Sequence, residues 1–536
     1  LALGSIPAGN AIASFAGFFG RVSLLGVLAG LAGLVAALPL VGVALAALSG
    51  DTADIAPGDV LRYAATSAWL AVLVGLLTAL WGSLAAWLVV MHRFPGRDIF
   101  AWALALPLAV PAFALAYAYA DLFDVAGPLR IAMRATLGFD LPIIVRGIGG
   151  AAFILSCAFY PYVYLAMRAA FLNQSLNVLE AARMLGRDGW QAFRQVALPL
   201  ARPSLAAGVA LAVMETLADY GAVQFLSVQT LTTGVVRAWS VYGSTASAAR
   251  FALPLLGAAA LLLWFERQGR RGRSHEGGKA RWRPLAARPL HGAGAWAAFC
   301  FCLSLLIAGL LLPVGWLLWS ALDVSPDWPR LLRAGGNSLT MGMIGAVVTV
   351  TLASVLALGA RRLPMATRLA SLGYATPGAV MAIGLLAPAG LIWSLMPGSG
   401  TGIALALLIY AYAARLMAAA LEPIDAGLSR VTPSMVNAAR SLGRSEAGAA
   451  VAVQLPVARG AMLTAGLVVF IDILKELPAT LILRPFDFDT LAVIANNYAL
   501  DERLGQAGPP SVIIVLLSLP AVIWLTREIA VSRPGA

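Results

Sequence analysis

Four carboxylates, Glu215, Asp219, Asp472 and Glu476, interrupt long runs dominated by small and aliphatic residues. Their placement is paired. Glu215 stands 13 residues after Arg202, Asp472 stands 13 after Arg459, and Asp219 and Glu476 each follow one helical turn later. Carboxylate oxygens suit a hard cation. Within a bilayer they are costly, so they face the protein interior or a water-filled path. Tyr220 adds a phenol oxygen beside the first pair, where a tyrosine also serves as an interfacial anchor. A structural use is equally open at one position, because Asp472 and Lys475 are spaced to pair on one helix face. Covalent chemistry is not indicated. The cysteines (Cys157, Cys300, Cys302) and histidines (His92, His275, His291) show neither metal-ligand spacing nor a nucleophile–base pair.

The chain that must position these groups is very apolar. Of its 536 residues, 60% are hydrophobic and 12% charged, with a mean hydropathy of +0.85. A soluble domain is nearer half apolar and a quarter charged. This composition specifies an all-α polytopic membrane protein. The net charge of +12 comes from arginines between apolar runs, as in cytoplasmic loops, and does not point to nucleic acid. A bilayer core about 30 Å thick needs roughly 20 apolar residues in helix. Spans 1 to 6 are expected between Arg21 and Asp51, Arg62 and His92, Asp98 and Asp121, Arg146 and Arg168, from about Pro203, and between Arg250 and Glu266. Spans 7 and 8 are expected between His291 and Asp323 and between Arg333 and Arg361. The run from Arg368 to Arg415 is split by Pro397-Gly398-Ser399-Gly400 into spans 9 and 10. Span 11 starts near Gly460, and span 12 lies between Arg503 and Arg527. About twelve transmembrane helices result, six in each of two parallel repeats, 1–266 and 292–536. The first run is too long for a signal-peptide core and reads as a retained span. Residues 267–291, rich in Arg, Gly and Ser, read as a flexible cytoplasmic linker, which puts both termini in the cytoplasm.

A motif occurs once in each repeat. Residues 180–199 read EAARMLGRDGWQAFRQVALP and residues 437–456 read NAARSLGRSEAGAAVAVQLP, 257 residues apart, within loops 177–200 and 434–457. Arg183 and Arg187, like Arg440 and Arg444, share a helix face. Gly186 and Gly443 permit a tight turn between two short helices, and Pro199 and Pro456 are expected to break one helix before the next. The predicted element is a helical knuckle, apolar and basic, held out into water. Other positions pair in the same order: Pro95 with Pro364, Pro111 with Pro377, and Thr233 with Thr490.

These residues resemble the cytoplasmic "EAA" loop of permease subunits of bacterial ATP-binding-cassette importers, and the whole chain resembles the type I permease fold of that family. The resemblance implies that Glu180, Ala181, Ala182, Gly186, Leu198 and Pro199, and Asn437, Ala438, Ala439, Gly443, Leu455 and Pro456, dock on an ATPase subunit. The second copy departs from the pattern, with Asn437 in place of the leading Glu. Neither Lys279 nor Lys475 lies in a phosphate-cradling G-x-x-x-x-G-K-[ST] loop, so ATP and Mg are expected to be used by a separate partner, present in two copies. No cofactor and no resident metal is expected in this chain.

Residues 214–239, 472–493 and 496–515 resemble the ferric-iron (Fe3+) importer permeases, which are fused two-half chains. That resemblance implies a periplasmic or lipid-anchored substrate-binding protein as a further partner, and a place in the bacterial inner membrane. The pathway candidates under this reading are Glu215, Asp219, Tyr220, Asp472 and Glu476. Thiamine, polyamine and phosphonate permeases share the architecture. An ion-driven secondary transporter is the rival of another class, and it has no need of the knuckles.

Overall fold

The computed structural model describes residues 24–49, 56–138, 144–173, 191, 193–270, 287–359, 366–367, 370, 373, 376–395 and 400–531. The first part of the chain runs through α1 (Leu24–Leu48), α2 (Pro57–Met91), α3 (Arg97–Ala103), α4 (Ala112–Phe123), α5 (Pro128–Leu137), α6 (Ile148–Asn173), α7 (Leu198–Ala218), α8 (Gly221–Phe225), α9 (Leu231–Ser240) and α10 (Thr245–Arg270). It continues as α11 (Ala293–Leu306), α12 (Leu312–Leu322), α13 (Trp328–Gly359), α14 (Gly378–Leu395) and α15 (Gly400–Leu428). The last part holds α16 (Pro433–Ser441), α17 (Glu446–Ala449), α18 (Leu455–Leu474), α19 (Pro478–Leu483), α20 (Leu491–Leu500) and α21 (Leu504–Val531). A two-residue parallel pairing of β1 (His92–Arg93) with β2 (Arg288–Pro289) ties the end of residues 267–291 to the end of α2.

Among the described residues, ten helices are long and apolar enough to cross a membrane, or eleven if one bent pair counts as a single span. The departure from the expected twelve falls at the third position. The third span is broken: residues 97–109 and 112–136 meet at 91°. The cause is local. Val110, at φ −93° and ψ 122°, is held extended by the proline that follows, and Pro111 then caps α4. The ninth position is taken by α14, 18 residues long, which likewise starts just after a proline, Pro377.

Three π-helical turns, Phe193–Ala197, Ile307–Leu311 and Ala450–Gln454, share one sequence cause. Each is followed by Leu-Pro: Leu198-Pro199, Leu312-Pro313 and Leu455-Pro456. A proline within a helix lacks the N–H that would bond four residues back, and its ring crowds that carbonyl. One wide turn absorbs the mismatch and lets the helix continue. Pro199 and Pro456 therefore do not break their helices. Residues 193–218 and 446–474 each run on as one candidate span.

By its contacts the chain falls into two units, each drawing on both sides of residues 267–291. One comprises Leu1–Leu38, Ala346–Tyr374 and Ala413–Val469. In it, small residues let backbones touch: a side chain at Gly33 would meet the Ala366 backbone at 3.0 Å, and one at Gly359 would overlap Ala29 and the Leu25 carbonyl. The other comprises Pro39–Gly345, Ala375–Tyr412 and Phe470–Ala536. Its core is aromatic, with Tyr117, Tyr160, Tyr164, Tyr412 and Phe171 fully buried. Gly82 and Gly208 both lie against Val163, which draws α2, α6 and α7 together. Leu31, Leu34, Leu76, Leu80, Leu261 and Trp264 remain exposed on long helices, as lipid-facing side chains do.

Candidate functional site

The second motif copy is built from the residue upward by its caps. Thr432 lies in extended backbone at the start of α16, and Pro433 fills the first turn, where its missing N–H is harmless. The helix ends in a glycine-dependent cap. Gly443 adopts φ +83°, its N–H donates to the Arg440 carbonyl at 3.0 Å, and the Arg444 N–H donates to the Ala439 carbonyl at 3.2 Å. That pair of bonds is a Schellman closure, which needs a left-handed residue at this position. Ser445 then caps α17, its Oγ accepting from the Gly448 N–H at 3.1 Å. The product is a helix, a one-glycine turn and a second short helix.

Within it, Ala439 is buried against the fold while Asn437, Ala438, Arg440, Gly443 and Arg444 are exposed. Leu442, just before the turn glycine, is 85% exposed, and Met435 and Val451 are exposed as well. Leu455 is half-buried and Pro456 exposed where α18 begins. Exposed apolar side chains flanked by guanidinium groups have the chemistry of a docking surface. Of the first copy, Glu180, Ala181, Ala182 and Gly186 lie outside the described residues. Leu198 and Pro199 open α7, directly after the π turn that matches the one before Leu455.

The carboxylates divide into two kinds. Asp472 pairs with Lys475 at 3.2 Å, with one-quarter or less of either side chain exposed, and Lys475 Nζ also donates to the Leu108 carbonyl at 3.1 Å. Glu215 is half-buried on α7. Asp219 and Glu476, by contrast, cap helices. Asp219 Oδ1 accepts from the Val223 N–H at 3.1 Å, and Glu476 Oε1 accepts from the Ala479 N–H at 2.9 Å. Tyr220 is buried at the start of α8. Among the described residues, no group of three or more His, Cys, Asp or Glu side chains is placed to hold a metal ion.

Several polar links were not anticipated from the sequence. Tyr117 donates to Asn496 Oδ1 at 3.2 Å, both buried. Two serines cap matching helices: Ser67 Oγ accepts from the Leu231 N–H at 2.8 Å, and Ser338 Oγ accepts from the Leu491 N–H at 2.9 Å. Those helices also correct one expected pairing. Thr490 caps α20 as Thr230 caps α9, so Thr490 corresponds to Thr230 rather than to Thr233. Thr233 instead completes the cap of its own helix, its Oγ1 accepting from the Thr230 N–H at 2.9 Å. The run Thr230-Leu231-Thr232-Thr233 offers several registers, and only the hydrogen bonds choose among them.

Comparison with known proteins agrees with this architecture. Residues 71–267 match the family described as "Binding-protein-dependent transport system inner membrane component". The Fe(3+)-transport system permease protein FbpB 2 of Haemophilus influenzae is 25% identical over 83% of this chain and 86% of its own length. The sulfate transport system permease protein CysT of Escherichia coli is 31% identical over 29% of this chain and 55% of its own. The molybdenum transport system permease protein ModB of the same organism is 30% identical over 26% of this chain and 58% of its own.

Proposed function

Starting from a non-catalytic, multi-pass permease of the binding-protein-dependent ATP-binding-cassette importers, related to ferric-iron, sulfate and molybdate permeases, we propose that its cargo is ferric iron. One observation carries this reading. The iron-transport relative aligns across 83% of the chain, whereas the sulfate and molybdenum relatives align with a quarter to a third of it. The oxygen donors Glu215 and Asp472 support it, because a carboxylate lining favours a hard trivalent cation and repels an oxyanion.

In this proposal a periplasmic or lipid-anchored binding protein releases Fe3+ at the outer ends of the spans. Two copies of an ATPase dock on the two motif segments from the cytoplasm. Their closure on ATP moves both segments, and the path switches its access from one side to the other. The fused halves are 1–266 and 292–536, joined by a cytoplasmic linker at 267–291, with both termini on the cytoplasmic side.

The test is uptake by cells lacking this chain, with radioactive ferric iron, sulfate and molybdate supplied separately. Loss of iron uptake alone supports the reading. Loss of sulfate or molybdate uptake with iron intact rejects it, and so does iron uptake that continues when the partner ATPase is deleted.

A further inference from the structure

Asp219 and Glu476 occupy matching places, each directly before a short helix, α8 or α19. Each turns its carboxylate onto a backbone N–H of that helix. An oxygen so placed accepts from a first-turn N–H, a group that helical carbonyls cannot reach.

The short helix in each repeat also meets the start of a segment that follows a proline break. In the first repeat α8 packs on α4. A side chain at Gly221 would lie 2.8 Å from Phe113 Cβ. In the second, α19 packs on α14. A methyl group at Gly378 would overlap Glu476 Oε1 and lie 3.4 Å from Ala479 Cβ.

The prolines align these joints. The Ala114 and Leu115 N–H groups donate to the Pro111 carbonyl at 3.0 and 3.2 Å, and the Val380 and Met381 N–H groups donate to the Pro377 carbonyl at 3.1 and 3.2 Å. Ala112 therefore corresponds to Gly378, as Asp219 corresponds to Glu476. Between the duplicates one carbon has changed sides: alanine with the shorter acid in one joint, glycine with the longer acid in the other.

We propose that Asp219 and Glu476 are positioning residues rather than cargo ligands: Glu476 clasps α19 to the start of α14, where Gly378 makes room for its carboxylate, and Asp219 holds the start of α8, which seats on α4 through Gly221. Cargo-facing charge then falls to Glu215 and Asp472. The clasp needs an acceptor atom of the right reach, not a negative charge.

Three variants of the full permease, assembled with its ATPase, reconstituted in vesicles and supplied with the binding protein loaded with radioactive ferric iron, test this. Gly378→Ala drives Glu476 off the Ala479 N–H and lowers uptake by about tenfold or more. Gly378→Ala with Glu476→Asp rebuilds the first joint's combination and returns uptake to within about threefold of the parent. Glu476→Gln keeps an oxygen acceptor and leaves the KM for cargo within about threefold. A double variant no better than Gly378→Ala overturns the proposal. So does a Glu476→Gln permease that assembles normally but shows a KM raised about tenfold. If Gly378→Ala does not assemble, recovery of assembly in the double variant carries the same information. Assembly and thermal midpoint are read without cargo, so a wrong assignment of iron shows itself separately from a wrong clasp.

Discussion

At the scale of single residues, the same side chain type does different work at neighbouring positions. Asp472 is neutralised by Lys475, and Lys475 is in turn held by the Leu108 carbonyl exposed just before the Val110-Pro111 break. Partly buried ion pairs contribute little net stability, yet removing one partner is strongly unfavourable because the other charge is left behind. The pair therefore fixes where Asp472 points more than it stabilises the fold. Glu215, on the matching helix, has no lysine three residues on, because Ala218 stands there. Glu215→Gln with Asp472→Asn should slow uptake by about tenfold while the ATPase still binds. Radiolabelled cargo flux and co-purification read the two effects separately, and unchanged flux in the double variant removes the pathway role.

At the scale of elements, proline decides the local architecture. A proline after an extended residue ends the helix and starts a new segment at a steep angle, as at Pro111. A proline after a π turn lets the helix pass through, as at Pro199, Pro313 and Pro456. The helix-turn-helix at 433–449 depends on a single left-handed residue. A non-glycine residue in that conformation costs about 1–2 kcal/mol, and a β-branched one more, because Cβ meets the backbone. Gly443→Val should open the Schellman closure, displace Leu442 and weaken ATPase binding by about tenfold. Titration of the purified permease with its ATPase measures this. Unaltered affinity with full uptake would show that the turn is not where the two subunits meet.

At the scale of the molecule, duplication and packing follow different boundaries. The repeat is visible in matched caps, matched π turns and matched proline breaks, whereas each contact unit takes strands of chain from both sides of residues 267–291. In the proposed arrangement residues 267–291 have only to span a distance between the halves, so their covalent continuity is expected to be dispensable. The β1–β2 pairing holds the chain at His92 and Arg93 even before α11 begins. Co-expression of residues 1–276 and 277–536 as separate chains should give a complex that retains at least about half of the parent uptake, since association replaces a tether of modest effective concentration. Failure of the two pieces to co-purify would show that continuity through residues 267–291 is required.

The class of protein was legible in the sequence, because bilayer insertion depends on one-dimensional quantities: run length, charge spacing and loop bias. Duplication was equally legible at Ala438, Ala439, Gly443, Leu455 and Pro456, where spacing alone carries the signal. The uses of the carboxylates were not. Spacing put Glu215 with Asp472 and Asp219 with Glu476, but only hydrogen bonds separate an acid that caps α8 or α19 from one that stays paired or half-buried. The Thr230 register, the Tyr117–Asn496 link and the bend at Pro111 were decided in the same way. Each depends on which backbone groups from distant parts of the chain are brought within about 3 Å of one another, a distance that linear spacing does not contain.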